Sequence, residues 1–321
     1  MPAISGWTGR GDARHSGGVS WMLFLLAGWL TGLPGLAGVA AQLRIEADAL
    51  VVPAEPYGGT EGLRFAWRSP DYSVSLAMPA SVAVRTGPLP KVEGAAGLPL
   101  VVLDPGHGGR DPGAPGVDGV TEKALTLAAA RAIREALLAS GRVRVAMTRE
   151  DDSFVPLQQR TDIGRQLGAA LFLSLHCDSA GDPLASGGTL YTLSEVASDK
   201  EAARMAAREN RADLLAGVDL GSERADVASL LIDLTQRRTM AVSARYADLL
   251  AREVAPAMHL HARPRRMASL MVLKAPDMPS VLFELGYVSN VEDAKALGSP
   301  EARARLAAAV RRATEIFLAT R

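Results

Sequence analysis

The chain has 321 residues, 48% hydrophobic and 22% charged, enough to bury one large core or two smaller ones, which excludes a mainly disordered protein. Thirty-five basic residues balance thirty-five acidic ones, so no global field favours nucleic acid or an anionic membrane, and specificity must come from local sites. A single cysteine, Cys177, excludes an internal disulfide framework and any thiolate-rich metal cluster, which leaves His and carboxylates as the metal ligands available.

Residues 1–41 read as a secretory signal outside the fold: Arg10, Arg14 and His15 precede the apolar WMLFLLAGWLTGLPGLAGVAA, with the small residues Val39 and Ala41 before an expected cleavage point. Gly28, Gly32, Pro34 and Gly35 interrupt it too often for a stable membrane span, so the mature chain is expected to be exported, into a periplasm. Residues 42–86 form a short β-rich segment, in which LRFAW and YSVSLAM show strand alternation between turn-like PAEPYGGTEG and RSPD. Residues 87–97, rich in Pro, Gly and Ala, read as a linker to a main domain over 98–321.

In that domain strands and helices alternate. LPLVVL, VRVAMT, ALFLSLH and SVLFELG are predicted strands. EKALTLAAARAIREALLAS is a predicted helix with Leu125, Ala129, Ile133, Ala136 and Leu137 apolar, PLQQRTDIGRQLG is a second, and RARLAAAVRRATEIFLA closes the chain with Leu306, Val310, Ala313 and Phe317 on one stripe. Near-continuous apolar strands in such a repetition predict an α/β fold, a mostly parallel sheet with helices on both faces.

Ligands of open α/β sheets bind at the carboxyl ends of strands, which directs attention to ionisable residues there. His107 follows the first strand in LDPGHGG, Glu122 sits in the first turn of the next helix, His176 closes LFLSLH, and Glu284 ends VLFE. On a parallel sheet all four face one edge, and two imidazoles with one carboxylate make a His2Glu set with room for a water, the open arrangement of catalytic zinc. Nitrogen and oxygen donors also suit other divalent metals. The glycine-rich GHGGRDPG lacks the Lys-Ser/Thr pair of a phosphate loop. His259 and His261, in MHLHAR, have no evident carboxylate partner and read as structural or surface residues.

LDPGHGGRDPGA, GVTEKALTLAAA, TRED, LFLSLHCDS and PSVLFELGYVSN, in that order and spacing over 98–320, resemble the zinc-dependent N-acetylmuramoyl-L-alanine amidases of bacterial cell walls. The resemblance implies one zinc ion held by His107, Glu122 and His176, with Glu284 as the catalytic carboxylate. It implies peptidoglycan as substrate, cut at the amide between the N-acetylmuramic acid lactyl group and the L-alanine of the stem peptide. Asp178, on the same side of the strand as His176, is expected to support the ligands or add one. Cys177 adjoins His176 but should turn to the opposite face, away from the metal, as a small buried filler. The family commonly has alanine at that position, and an Ala-Asn and an Ala-Asp where Ile163-Gly164 and Ala169-Ala170 stand here; these departures spare the ligands.

Residues 194–239 are too long for a simple connection and hold two helical patterns, the second with Val227, Leu230, Leu231 and Leu234 in register. Its ENRAD and LLIDL segments resemble an insertion of the amidases that separate daughter cells, in which a helix covers the zinc until an activator protein displaces it. A helix starting near Glu223 and Asp226 would carry one of those carboxylates to the open metal position. Such relatives often carry an amino-terminal β module for wall targeting, and residues 42–86 have about half the expected length. The same donors could serve a zinc carboxypeptidase or deacetylase acting on the wall, or be idle in a non-catalytic wall-binding protein.

Overall fold

The computed structural model describes residues 88–320, apart from 181, 183, 212 and 214–228, together with the backbone of four strands between 44 and 77. The expected signal and its cleavage point at Ala41, and Val227, Glu223 and Asp226, lie outside the described residues. The chain divides into two units, residues 1–79 and 80–321.

In the first unit β1 (Arg44–Glu46), β2 (Ala49–Val52), β3 (Leu63–Arg68) and β4 (Ser73–Ala77) form an antiparallel sheet in chain order. The alternation in LRFAWR and SVSLA predicts the last two; the first two are too short to show a period.

The second unit is built on a six-stranded sheet in the order β6-β5-β7-β10-β8-β9. Its strands are β5 (Leu100–Pro105), β6 (Arg144–Met147), β7 (Leu171–Asp178), β8 (Gly188–Leu193), β9 (Leu260–Ala268) and β10 (Ser280–Tyr287). β6, β5, β7 and β10 run parallel, whereas β8 pairs antiparallel with β10 and parallel with β9. The sheet is mostly parallel, as the continuous apolar strands predict, and every residue of β5, β7, β8 and β10 is buried. No helix among the described residues is long and apolar enough to cross a membrane.

Helices cover both faces. One face carries α1 (Glu122–Ala139), α4 (Ser229–Val254) and α6 (Pro300–Ala319). Their stripes Leu125, Ala129, Ile133 and Leu137, then Tyr246 and Leu250, then Leu306, Val310, Ala313 and Phe317, pack against Val101, Leu103, Leu173 and Leu175. Each buried Leu, Ile or Phe contributes roughly 1.5–3 kcal/mol, and Ile133→Ala would cost about 2–5 kcal/mol with its cavity. The opposite face carries α2 (Leu157–Gln166) and α3 (Lys200–Glu209), with Leu157, Ala202, Met205 and Ala206 against Leu100, Val102, Phe172 and Leu282. A short α5 (Val291–Gly298), started by the Asn290 side chain, precedes α6.

Three features depart from the sequence pattern. α4 runs unbroken from Ser229 through Val254, so the second helical pattern of the insertion and the helix after it are one element. Residues 260–268, though rich in Arg and holding Pro264, form the edge strand β9. The linker joins the sheet at one point: Glu93 exchanges two 2.9 Å backbone hydrogen bonds with Val145 of β6.

Candidate active site

Parallel β5, β7 and β10 lie side by side, so their carboxyl ends meet at one edge. After β5 the chain turns through the glycine-rich loop, and His107 itself takes φ 61°, a left-handed conformation that costs a non-glycine residue about 1–2 kcal/mol. The glycines make room for that turn. A Cβ on Gly106 would stand 2.4 Å from the His176 ring, and one on Gly113 would stand 2.6 Å from Glu122 Oε2 and 2.7 Å from the His107 ring. Two buried arginines hold the loop by its carbonyls: Arg149 donates to those of Pro105 and Gly106, Arg160 to those of Pro105 and His107.

Glu122 is the first residue of α1, where the helix N-terminus favours an anion. Its Oε2 accepts from the Ala114 amide at 2.7 Å and its Oε1 from the Cys177 amide at 2.8 Å. That Oε1 stands 3.0 Å from His107 Nε2 and 3.2 Å from His176 Nδ1. His107 is oriented from behind, its Nδ1 2.7 Å from Asp111 Oδ2, the carboxylate–histidine pairing common behind metal ligands. Glu284, opposite His176 in the β10–β7 register, is buried with neither carboxylate oxygen hydrogen-bonded.

His107, Glu122 and His176 each offer one donor atom within 4.8 Å of the others, and His176, Glu209 and Glu284 do the same. Donors held about 2.1 Å from a tetrahedral zinc stand roughly 3.4 Å apart, close to the spacings seen here. His107 Nε2 lies 3.0 Å from the Glu122 oxygen but outside hydrogen-bond geometry, and it is buried with no other hydrogen-bond partner. An orphaned buried nitrogen, a second imidazole and an anchored carboxylate fit a divalent cation.

Glu209, the first residue of the ENRAD segment though not among the carboxylates expected to reach the metal, completes the cluster. It ends α3, and its Oε2 lies 3.1 Å from His176 Nδ1 and 3.4 Å from His107 Nε2. Burial pushes its carboxyl up, but the facing His176 and His107 outweigh that and hold it down at about 2. Burial likewise opposes charge on His107, yet Glu122, Asp111 and Glu209 raise it to about 9. Glu284 goes the other way: burial, then the nearby Asp178 carboxylate, push it well above the usual range against the pull of His176. Asp178 is not among the converging donors; it pairs with Arg208, which in turn meets Glu209 Oε1 at 2.8 Å.

The Cys177 side chain lies in the core on the face opposite His176, and burial drives its thiol well above the ordinary value. His259 lines a shallow hollow with Asp293 and Leu297, and His261 lies beside Arg266; neither joins the cluster. Asp111 and Arg149 sit inside the motifs RDPG and TRED, where a carboxylate four residues after His107 was the available signal.

This arrangement defines a class: α/β enzymes with a His2Glu donor set at the carboxyl edge of the sheet and a free buried carboxylate beside it. Residues 101–315 match the family model described as N-acetylmuramoyl-L-alanine amidase, and the chain belongs to that family. N-acetylmuramoyl-L-alanine amidase AmiA of Escherichia coli (strain K12) is 37% identical over 222 residues, 69% of this chain and 76% of that protein. Amidase AmiC of Neisseria meningitidis serogroup B is 36% identical over 242 residues, 75% of this chain and 58% of that one. Among solved structures, amidase AmiC2 of Nostoc punctiforme superposes with TM-score 0.50 at 26% identity, covering 70% of this chain and 99% of its own.

Proposed function

We propose that the chain hydrolyses the amide between N-acetylmuramic acid and the L-alanine of the peptidoglycan stem, remodelling the wall during daughter-cell separation. The observation that carries this reading, within an amidase family member, is the convergence of His107 Nε2, His176 Nδ1 and Glu122 Oε1 beside the unpartnered Glu284. His107, Glu122 and His176 would hold one zinc ion, which when bound supplies a water of lowered pKa and polarises the scissile carbonyl. Asp111 fixes the His107 ring so that Nε2 faces the donors, and the Ala114 and Cys177 amides fix Glu122. Glu284 takes the proton of the attacking water and delivers it to the departing nitrogen; its raised pKa suits a group that must carry that proton. Cys177, buried on the other face, forms no covalent intermediate.

Glu209 reads as the carboxylate by which the insertion restrains the site, since it stands against both histidines where the expected reach of Glu223 or Asp226 would end. α3 would then lift away when an activator protein binds the insertion. The chain acts after export, in the periplasm, residues 42–86 serving as a shortened wall-targeting module. The test is zinc content together with mass spectrometry of digested sacculi: one zinc per chain, with a free lactyl carboxyl and a new L-alanine amine, is the expected result. Products cut within the stem peptide, or deacetylated sugars, would replace the amidase reading with a carboxypeptidase or a deacetylase.

A further inference from the structure

α3 presents two carboxylates to the sheet, and only one of them belongs to the cluster described above. Glu201 lies eight residues before Glu209, about 12 Å along the helix. Its Oε2 is 2.7 Å from Arg266 Nη1, and its Oε1 accepts from the Tyr287 hydroxyl at 2.9 Å. Arg266 is an unusual residue for such a place. It is 2% exposed, stands on an edge strand, and is under-satisfied: Nε has no hydrogen-bond partner, and Nη1 meets Glu201 only as an ion pair outside hydrogen-bond geometry. Its other neighbours include the buried Tyr191 side chain on the facing strand, the His261 ring, 3.3 Å from Nη2, and Asp199 at 3.8 Å.

The register places this guanidinium relative to the chemistry. Arg266 is opposite Tyr191, Tyr191 is opposite Leu282, and Glu284 lies two residues further along β10. Directly opposed residues share a face, so Arg266 stands on the same side of the sheet as Glu284, two strands across and one pleat repeat down, roughly 12 Å away. The sheet face beneath α3 therefore has metal-type donors at one end, a buried fork of N–H donors at the other, and the apolar Phe172, Tyr191 and Leu282 between them. The helix fills both ends with carboxylates of its own.

We infer that Arg266, with the Tyr287 hydroxyl beside it, is a subsite for a carboxylate of the stem peptide, and that Glu201 occupies it in place of substrate. This inference rests on the amidase reading for the identity of the ligand. A short peptide leaving the cut amide carries free carboxylates, and an acidic group some three residues from the bond spans the distance from Glu284 to Arg266. A guanidinium pairs with such a planar anion through two parallel hydrogen bonds, which the unused Nε and an Nη can supply once Glu201 withdraws. Tyr287 changes partner without moving, donating to the incoming oxygen as it now donates to Glu201.

The experiment measures calorimetric binding of a synthetic L-alanyl tripeptide with free carboxylates, and of the same tripeptide fully amidated, to the full-length protein. The wild type should prefer the acid, Arg266→Met should lose roughly tenfold of that affinity with the amide unchanged, and Arg266→Lys should recover part of it. Glu201→Gln removes the internal competitor from a half-exposed position and should tighten binding of the acid alone. Equal binding of acid and amide, no binding of either even to Glu209→Ala, which weakens the docking of α3, or a parallel change for both probes in Arg266→Met would overturn the subsite and leave a structural ion pair. No turnover is needed, so a failed subsite is distinct from a failed amidase, which the products from sacculi decide.

Discussion

The floor of the site and the helix over it are held by different kinds of contact. The floor is fastened by a buried hydrogen-bond network, much of it to the main chain: Arg149 and Arg160 donate to loop carbonyls, Glu122 accepts from two backbone amides, and the Asp104 carboxylate accepts from the Thr148, Ser174 and Arg160 side chains. Loss of any one partner strands a buried polar group at about 1–3 kcal/mol. α3 instead meets the floor through side chains paired by charge, Glu209 with the histidines, Arg208 with Asp178 and Glu201 with Arg266, over a small apolar patch of Ala202, Met205 and Ala206. The partly exposed Arg208 and Glu201 pairs are worth at most about 1 kcal/mol each, the attraction in the buried Glu209–histidine pairs is largely offset by desolvation, and Met205 adds roughly 1.5–3 kcal/mol. That total suits a helix that stays docked more than ~99% of the time, which takes about 2.7 kcal/mol, and yet can be lifted by a binding partner.

The contrast is broken most sharply at the floor. His107→Ala and His176→Ala should each lose tightly bound metal and roughly 10³-fold or more of the activity, whereas Glu284→Gln should keep the metal and lose about 10²–10⁴-fold in turnover. Metal analysis beside rates on sacculi separates the two outcomes; a metal-replete, active His176→Ala would remove that residue from the ligand set.

Substitution in the cover should act in the opposite direction. Glu209→Ala is expected to raise the basal rate by about tenfold or more at equal metal occupancy, since a docked excess of two orders of magnitude is what it relieves. An unchanged rate would mean that α3 does not restrain the site. A weaker latch lies just beyond α3, where Asp213 accepts from the Leu157 amide at 2.9 Å and so serves the start of α2, whose own preceding residue is Pro156. Asp213→Ala should cost about 0.5–2 kcal/mol, read as a lower melting temperature together with a few-fold higher basal rate. A melting shift without the rate change would make Asp213 a helix start and nothing more.

Acidity sharpens the comparison in the metal-free protein. Glu209, lowered to about 2 from 4.5, stabilises the docked state fully above pH 4.5 and loses that contribution as pH falls toward 2. His107, raised from 6.5 to about 9 against burial chiefly by Glu122 and Asp111 of the floor, stabilises the folded chain fully below pH 6.5 and loses that contribution as pH rises through 9. Glu284, raised well above 4.5, loses stability as pH climbs, so the melting temperature of chelator-treated protein should peak toward the acid end of the window from pH 4.5 to 6.5 and fall on both sides. A flat profile would mean that these charges do not stabilise the metal-free fold. The smallest effect belongs to Cys177→Ala, which should leave activity within a small factor; loss of nearly all turnover would mean that the thiol takes part in the chemistry.

The floor was more legible in the sequence than the cover, and the reason is physical. His107, Glu122, His176 and Glu284 each lie at a strand end or a helix start, where side-chain type alone marks a group that has no business in a core. Parallel pairing then carries them to one edge. Glu209 opens the ENRAD segment, which marks the insertion but not the residue, because a glutamate on an amphipathic helix looks like any solvated one and only docking turns it inward. Arg149 and Arg160 were hidden for a related reason: their partners are backbone carbonyls, which no residue pattern records. Arg266 sits among arginines on an edge strand, and which of them points inward follows from the β8 register alone.

The two rims of the open six-stranded sheet carry a further consequence. An unpaired strand edge is a template for another chain, and if the site opens by lifting α3, as proposed, it has to do so without offering one. At the β6 rim Glu93 takes up the hydrogen-bonding positions of Val145. At the β9 rim Pro264 removes a donor and the exposed Arg263 and Arg265 repel a second copy. With both margins blunted, the proposed departure of α3 would uncover the apolar strip of Phe172, Tyr191 and Leu282 between two polar ends without also offering a free strand edge to a second copy.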